Sequence, residues 1–484
     1  MKFLKLPLFA LLSLMTLAIN AQNFGDALRY SAFNPIGTAR FMGAGSALSP
    51  LGADFSVMST NPAGLAWMRK GEFMITPGIY STSTESVLGN TNDKLVYDDA
   101  SIQFTLPNIG LVTHSNGGSS IKAFNFGIGI NRLADFNQQF FYKGKSKGSI
   151  MQRFEELSND KGLDDFEAGV AYSADALWIP EGANGYVSDF SDQPDLETTK
   201  EESIIRTGSL SEFAFGFAVN HDNKLLWGLS VGVPLLRYEE EKRYTEKDED
   251  NSVEAFENLS YTQNLLVNGS GINLKLGFIY RVHQALRLSA AIHTPTYYQI
   301  DEQFSSSMVY NYTLEGSKLR GEGSSPQGQF NYGLRTPWRL SVGAGTIFSK
   351  YGFLSAELEY VNYAKNRFLY DGFADDEAVV NQGVKDNLSN AVKLNIGGEL
   401  AMGTFRVRGG FIMQQSPLVD DTTISSSFSF GIGLRQRSYF LDLGYRRGLS
   451  KETYTPYAVT NGTQQFIDND VIKENIALTI GFKW

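Results

Sequence analysis

Histidine and closely spaced acidic side chains are the groups in this sequence with the chemistry for proton transfer. The chain has four His, and His293 ends a run in which apolar residues alternate with others. Glu357 and Glu359 are two positions apart, so on a strand both side chains point to the same face. Paired carboxyl groups can divide the roles of acid and base, but lining a polar lumen is the commoner role for such side chains.

A nucleophile held by a base is not recognisable in the sequence. The chain has no Cys, which excludes thiolate nucleophiles, disulfides and Cys-ligated metals. A Ser nucleophile needs a base within hydrogen-bond reach, whereas His221 and His283 fall in short connections and His114 falls at a strand end. We therefore predict that the protein is not an enzyme and uses neither a cofactor nor a metal.

The composition excludes further classes of protein. Aromatic residues make up 13% and charged residues 19% of the 484 positions, and there are 48 Gly. The formal net charge is −10, which disfavours nucleic acid as a partner because phosphate binding needs clustered Lys and Arg. A hydrophobic share of 42% argues against disorder.

The first residues have the pattern of an export signal. Lys2 and Lys5 precede an apolar run over 6–19, and Ala21 offers a small residue for cleavage. This order is typical of a secretory signal peptide, and the run is shorter than the ~20 residues of a membrane-spanning helix. We predict a signal peptide over residues 1–21.

Beyond residue 70 the dominant period of the apolar residues is two, which is the period of a β-strand. Apolar positions alternate with Gly, Ser, Asn, Arg and Asp. The pattern predicts fourteen strands, near 72–80, 100–113, 122–133, 211–220, 225–238, 270–281, 286–300, 338–348, 352–364, 390–401, 404–415, 426–435, 438–448 and 474–484.

The connections between these strands alternate in length, which favours an outer-membrane barrel over a soluble sandwich. Brief turns alternate with long polar stretches at about 134–210, 239–269, 301–337, 365–389 and 449–473. Short turns on the periplasmic side and long outer loops are typical of outer-membrane barrels, as is an even number of strands. We predict an all-β fold, a transmembrane antiparallel barrel over 71–484 in contact with outer-membrane lipids.

The two ends of the predicted barrel carry further signals. Phe482 and Trp484 lie on one face of the last strand, and a C-terminal strand ending in an aromatic residue resembles the signal read by the barrel assembly machinery. Residues 22–70 do not alternate. They contain Gly, Pro and small residues that suit a compact, irregular segment shielded from lipid inside a lumen.

The motif in this segment is Arg40, Gly43, Gly45, Ala47, Asp54 and the run Asn61, Pro62 and Ala63. It resembles the N-terminal hatch, or plug, of the FadL/TodX family of outer-membrane transporters for long-chain fatty acids and hydrocarbons. The barrel is similar to the family at 228–234, 271–281, 286–290, 294–295 and 337–343. The resemblance implies a fourteen-stranded barrel with a hatch over 22–70, in agreement with the strand count.

The resemblance also implies a function, the passive uptake of hydrophobic molecules. In the family the ligand is captured among the outer loops, passes through the lumen and leaves through a lateral gap near the third strand. A gating role for the hatch motif and a structural one both stay open. Arg40 is expected to pair with a lumenal carboxylate such as Asp54 or Glu357, and His293, Glu357 and Glu359 are expected to face the lumen.

The long acidic loops favour an alternative. A FadL-like barrel in the type IX secretion pathway shares the small-residue and Asn-Pro pattern and serves for docking at the cell surface. A hydrophobic ligand pocket beneath the loops would favour transport, whereas large loops without such a pocket would favour docking.

Overall fold

The computed structural model describes residues 24–89, 91, 94–191, 195–460 and 462–484, so the predicted signal peptide lies outside the described residues. The strands are β1 (Glu72–Leu88), β2 (Val96–Asn116), β3 (Ile121–Asp135), β4 (Gln138–Lys147), β5 (Glu197–His221), β6 (Leu225–Lys247), β7 (Phe256–Arg281), β8 (Leu286–His293), β9 (Tyr297–Leu314), β10 (Ser317–Ser324), β11 (Gly328–Arg335), β12 (Arg339–Ile347), β13 (Gly352–Asn362), β14 (Arg367–Leu369), β15 (Asn390–Met402), β16 (Phe405–Gln415), β17 (Ile424–Arg435), β18 (Tyr439–Tyr454) and β19 (Ile467–Lys483).

The helices are α1 (Phe24–Ser31), α2 (Ala39–Gly43), α3 (Ile150–Lys161), α4 (Ala168–Ser173) and α5 (Ala374–Asn387), with 3-10 turns at Phe55–Ser59, Pro62–Trp67 and Tyr363–Lys365. None of the described helices is long and apolar enough to cross a membrane.

The strands form one closed antiparallel sheet, because the first strand pairs with the last from Glu72 opposite Lys483 onward. In four places, consecutive short strands follow one another in a single position of the barrel wall, and we call each such position, like each long single strand, a stave. The composite staves are β3 with β4, β8 with β9, β10 with β11 and β12, and β13 with β14. Counted this way the barrel has fourteen staves. The predicted fold class and strand number are confirmed.

The strands extend further than their apolar pattern indicates. Strands β5, β6 and β7 contain 25, 23 and 26 residues. Most of the stretches predicted as loops at 239–269 and 301–337, about half of 449–473 and the two ends of 134–210 are paired sheet. The prediction of loops was wrong there because the outer face of a strand beyond the membrane contacts water instead of lipid. That face no longer has to be apolar, so the alternation that marks a strand in the sequence is lost. The stretch 365–389 contains α5.

The outward face of the barrel is apolar, and the inward face is polar. On β18, Leu441, Leu443 and Tyr445 are exposed, whereas Asp442 and Arg446, which occupy alternate positions on the other face, are buried. This is the reverse of a soluble protein and matches an outer surface that meets lipid while the inner surface meets a filled lumen. Pairing between neighbouring strands of the closed sheet also satisfies most backbone groups where no water is available.

Residues 24–70 lie inside the barrel. The side chains of Phe41, Phe55, Met58 and Leu65 are fully buried and form a common apolar cluster with inward residues of the barrel wall. Gly residues on the wall make room for them, since a Cβ on Gly110 would meet the Phe55 ring at 2.5 Å. Part of the Gly content of the chain thus has a steric origin, the close approach of an inner segment to the wall.

Candidate functional site in the barrel lumen

Asp54 and Asn61 cap the two 3-10 turns of the N-terminal segment. The Asp54 carboxylate accepts hydrogen bonds from the backbone N–H of Ser56 at 3.0 Å and from the Thr38 hydroxyl at 2.8 Å. Asn61 Oδ1 accepts from the Ala63 N–H at 3.2 Å, and Pro62 occupies the first position of the turn, where a missing N–H costs nothing. The motif therefore fixes the local fold of the segment.

The same Asn-Pro-Ala run contacts the barrel wall. Asn61 Nδ2 donates to the carbonyl oxygen of Phe278 on β7 at 3.3 Å. A Cβ on Gly228 would lie 2.6 Å from the Pro62 backbone, and one on Gly277 would lie 2.0 Å from Asn61 Oδ1. The run is thus packed against two neighbouring staves with no room for a side chain between them.

Gly43 and Gly45 pack on Gly residues of the opposite wall. A Cβ on Gly43 would meet Gly431 at 3.0 Å, and one on Gly410 would meet the Gly45 backbone at 2.2 Å. Gly45 also has φ +62°, a conformation that L side chains rarely adopt. The small-residue pattern of the motif is a backbone-to-backbone contact surface.

Arg40 joins the N-terminal segment to the wall through carboxylates. Its guanidinium lies 3.9 Å from Asp54 and 3.7 Å from Glu399 on β15. Among the described ion pairs, Arg40 makes none with Glu357, one of the two expected partners. Glu357 contacts a different part of the inner segment, near Ser49.

Glu399 belongs to a larger charge cluster that the sequence reading missed. It lies 2.6 Å from Arg408 of β16, and Arg408 lies 2.7 Å from Asp442 of β18. The sequence does contain a pattern that indicates this pair. The brief turn after Met402 places Glu399 directly opposite Arg408, and the outward positions of Ile396 and Leu400 put Glu399 on the inner face.

His293, Glu357 and Glu359 all face the lumen. The His293 Nε2 lies 2.7 Å from the carbonyl oxygen of Thr60, and Glu359 pairs with Arg339 at 3.2 Å and with Lys393 at 2.9 Å. The cavity that these groups line has a volume of about 20 Å³, room for roughly one water molecule. The arrangement ties the wall to the inner segment.

Replacing His293 with Phe tests this structural role. We expect the His293→Phe variant to lose about 1–3 kcal/mol of unfolding free energy, because the buried Thr60 carbonyl loses its donor. Urea unfolding followed by tryptophan fluorescence measures the loss. His283→Phe, in an exposed turn, serves as the matched control and should change little. Unchanged stability of His293→Phe would contradict the role.

The wall is interrupted between the second and third staves. Strand β2 pairs with β3 only from Asn108 to Asn116, and from Val96 to Thr105 the described pairing of β2 is with β1 alone. Past this point β3 bends at residues 136–137, and β4 continues along β5 on the inner side of β1, where Thr82 Oγ1 donates to the Asn137 carbonyl at 2.7 Å. We call this interruption the β2–β3 seam.

Apolar side chains lie on both sides of the β2–β3 seam. On the outside Ile102 and Phe104 are exposed, Phe104 to 90%. On the inside Leu133 and Phe136 belong to an apolar cluster that contains Tyr30 of α1 and the wall residue Tyr238. Helix α1 thus lies within the apolar part of the lumen.

Hydrogen bonds link staves at the end of the barrel with the long connections. Tyr142 of β4 and Tyr454 of β18 each donate to the carboxylate of Glu202 on β5, both at 2.9 Å. Glu202 lies about ten residues beyond the predicted membrane-spanning part of its strand, and its burial raises the pKa of its carboxyl group to about 7. The hydrogen bonds hold three strands together at this end of the barrel.

The described residues contain no group of three or more His, Cys, Asp or Glu side chains placed to hold a metal ion.

Phe482 and Trp484 lie at the end of the barrel with the short turns, and both side chains are exposed. The backbone N–H of Trp484 donates to the Gly71 carbonyl at 3.1 Å. Their part in assembly stays a prediction.

Comparisons with known proteins point to one fold. No protein-family model matches the sequence, and no curated protein matches it either. Among solved structures, the chain is similar to the P. putida toluene transporter TodX, with a TM-score of 0.52 and 12% identity over 92% of this chain and 98% of that one. It is equally similar to a Pseudomonas aeruginosa FadL homologue, with a TM-score of 0.52 and 12% identity over 93% and 99%. The fold that the motif resemblance implied is confirmed.

Proposed function

We propose that the protein is an outer-membrane channel for the passive uptake of hydrophobic molecules, with residues 22–70 as its hatch. The observation that carries the proposal is the β2–β3 seam, where an apolar part of the lumen meets an interruption of the wall. A free strand edge within a membrane leaves backbone groups without partners, at a cost in free energy. Its presence beside apolar side chains favours a lateral exit for ligand.

Hydrogen bonds and an ion pair hold the bend between β3 and β4 at the β2–β3 seam in place. Asp135 accepts a hydrogen bond from the Asn137 backbone N–H at 3.2 Å and pairs with Arg132 at 2.5 Å. The Phe136 N–H donates to the carbonyl of Gly208 at 3.0 Å, and Gly208 has φ +119°, which favours Gly. The bend between β3 and β4 is thus held from both sides.

The substrates best suited to this geometry are apolar. A hydrophobic molecule gains about 25 cal/mol for each Å² of apolar surface that leaves water, so the apolar cluster and then the lipid can draw it inward without an energy source. The toluene transporter TodX is similar in fold, and toluene is therefore a suitable first ligand to test. Long-chain fatty acids are the second class.

Deleting Phe136 and Asn137 tests the lateral exit. Phe136 and Asn137 make the contacts that hold the bend, and removing both keeps the in–out alternation of the strand while moving β4 by two positions along β5. Strand β4 is thereby released from the inner side of β1 and can pair with β2. We expect accumulation of radiolabelled toluene to be lost while the barrel still folds, as judged by heat-modifiable migration in SDS gels.

Deletion of Gly117 and Gly118 in the β2–β3 turn removes the same number of residues and leaves the seam open. This control should take up toluene like the native protein. Native uptake by the seam deletion would contradict a lateral exit, and lack of uptake by the native protein would contradict the channel.

A docking function is the alternative, and one observation favours it. The long connection between β4 and β5 folds into a cap in which α3 and α4 pack on the outer ends of β7 and β9. This cap exposes apolar side chains, among them Tyr172, Trp178 and Ile179. If the native protein shows no hydrophobic uptake and native mass spectrometry finds no ligand, this surface favours docking.

A further inference from the structure

A basic pocket opens at the end of the barrel with the short turns, between the N-terminal segment and the wall. Its volume is about 280 Å³. Its lining includes five cationic side chains and a single carboxylate, those of Arg40, Arg69, Arg287, Lys350, Arg406 and Glu399. We call it the basic pocket.

The positive charge of the basic pocket is not balanced by the protein. Glu399 is shared by Arg40 at 3.7 Å, by Arg406 at 3.5 Å and by Arg408 at 2.6 Å. Arg69, Arg287 and Lys350 have no carboxylate within 4.0 Å in the described parts of the chain. A bound anion would relieve the repulsion among these cations.

Arg287 has an N–H group that no acceptor among the described residues satisfies. Its Nη1 donates to the Leu51 carbonyl at 3.1 Å, and its guanidinium carbon lies 3.9 Å from the centre of the Trp67 ring. The Nε of Arg287 and the Nε1 of Trp67 are both buried and have no hydrogen-bond partner within the described residues. A guanidinium held by stacking on an aromatic ring presents its remaining N–H groups in the planar geometry that suits carboxylate and phosphate.

The pocket also has apolar walls. Leu51, Trp67 and Phe353 line it and are themselves largely buried. Cations beside apolar side chains suit a ligand with an anionic head and a short apolar group, a combination typical of small-molecule sites.

We propose that the basic pocket binds a small, water-borne oxyanion, a carboxylate or phosphate with a short apolar substituent, from the periplasmic side. The short turns of a single-chain barrel face the periplasm. The site has walls from both the N-terminal segment and the barrel, so a bound anion bridges the two and holds the segment in place. This proposal is independent of hydrophobic uptake, since the pocket and the β2–β3 seam lie at different parts of the barrel.

Binding of phenyl phosphate and inorganic phosphate to the purified full barrel, measured by isothermal titration calorimetry, tests the proposal. We expect saturable binding, tighter for phenyl phosphate because of the apolar walls. Arg287→Gln and Lys350→Gln should each weaken binding at least tenfold. Arg243→Gln and Lys143→Gln, the matched controls at the opposite end, should bind like the native protein.

Two outcomes would overturn the site: no saturable binding of either probe, or equal weakening in the controls. Measurements in detergent and in nanodiscs of phosphatidylglycerol separate the sources of the anion. Equal affinity in both supports a water-borne solute, whereas competition by the nanodisc lipid overturns that source in favour of a lipid headgroup. A failed toluene assay leaves these results unaffected.

Discussion

Substituting Gly410 with Val should displace the N-terminal segment from the barrel wall and open the lumen to polar solutes. A Cβ at this position would lie 2.2 Å from the backbone nitrogen of Gly45, so the wall and the segment cannot both keep their places. Overpacking of this kind costs about 1–3 kcal/mol or more. We expect a several-fold rise in single-channel conductance in planar bilayers, because a large barrel without its inner segment is an aqueous pore.

The adjacent residue provides the control. A Cβ on Gly409 meets nothing within 4 Å, because this residue faces outward on the same strand. Gly409→Val should therefore keep the low conductance of the native protein. If Gly410→Val folds and its conductance equals that of Gly409→Val, the N-terminal segment is not the barrier to polar solutes, and its role as a hatch is contradicted.

Replacing Arg408 with Met should destabilise the barrel strongly. Arg408 is almost fully buried and lies between two carboxylates, 2.6 Å from Glu399 and 2.7 Å from Asp442. Without it Glu399 keeps the more distant Arg40 and Arg406, and Asp442 keeps Arg435 at 3.1 Å. We therefore expect a loss toward the lower end of the about 3–5 kcal/mol that breaking a buried pair costs. The loss should appear as a lower guanidinium midpoint in equilibrium unfolding monitored by tryptophan fluorescence.

Arg447→Met gives the comparison for an exposed ion pair. Arg447 lies 3.2 Å from Glu474 near the surface, and such pairs contribute about 0–1 kcal/mol. Similar losses for the two variants would mean that the cluster around Arg408 is solvated, against its burial in the structure.

The membrane-facing part of each stave could be predicted from the sequence, because lipid imposes one rule on every strand. An outward residue must be apolar, so alternation marks both the strand and its inner face, as in Tyr439, Leu441 and Leu443. Short turns also fix register, which is why Glu399 opposite Arg408 was within reach of sequence reasoning.

Other parts of the site could not be predicted. The contact between Gly45 and Gly410 joins positions far apart in the chain, and no local pattern relates an inner segment to a particular stave. The β2–β3 seam depends on which strands do not pair, and the alternation of β2 continues through it. The basic pocket needs the N-terminal segment and three different turns, so its charges look unrelated in the sequence.

The length of the staves has a consequence for what the surroundings encounter. Strand β7 has 26 residues, and at about 3.4 Å per residue with a tilt of about 40° it stands roughly 65 Å tall. The hydrocarbon layer takes up about 25 Å of that height. The barrel therefore extends well beyond the lipid surface. A phage fibre or an antibody that approaches the cell would contact the rim of the barrel before it reached the membrane.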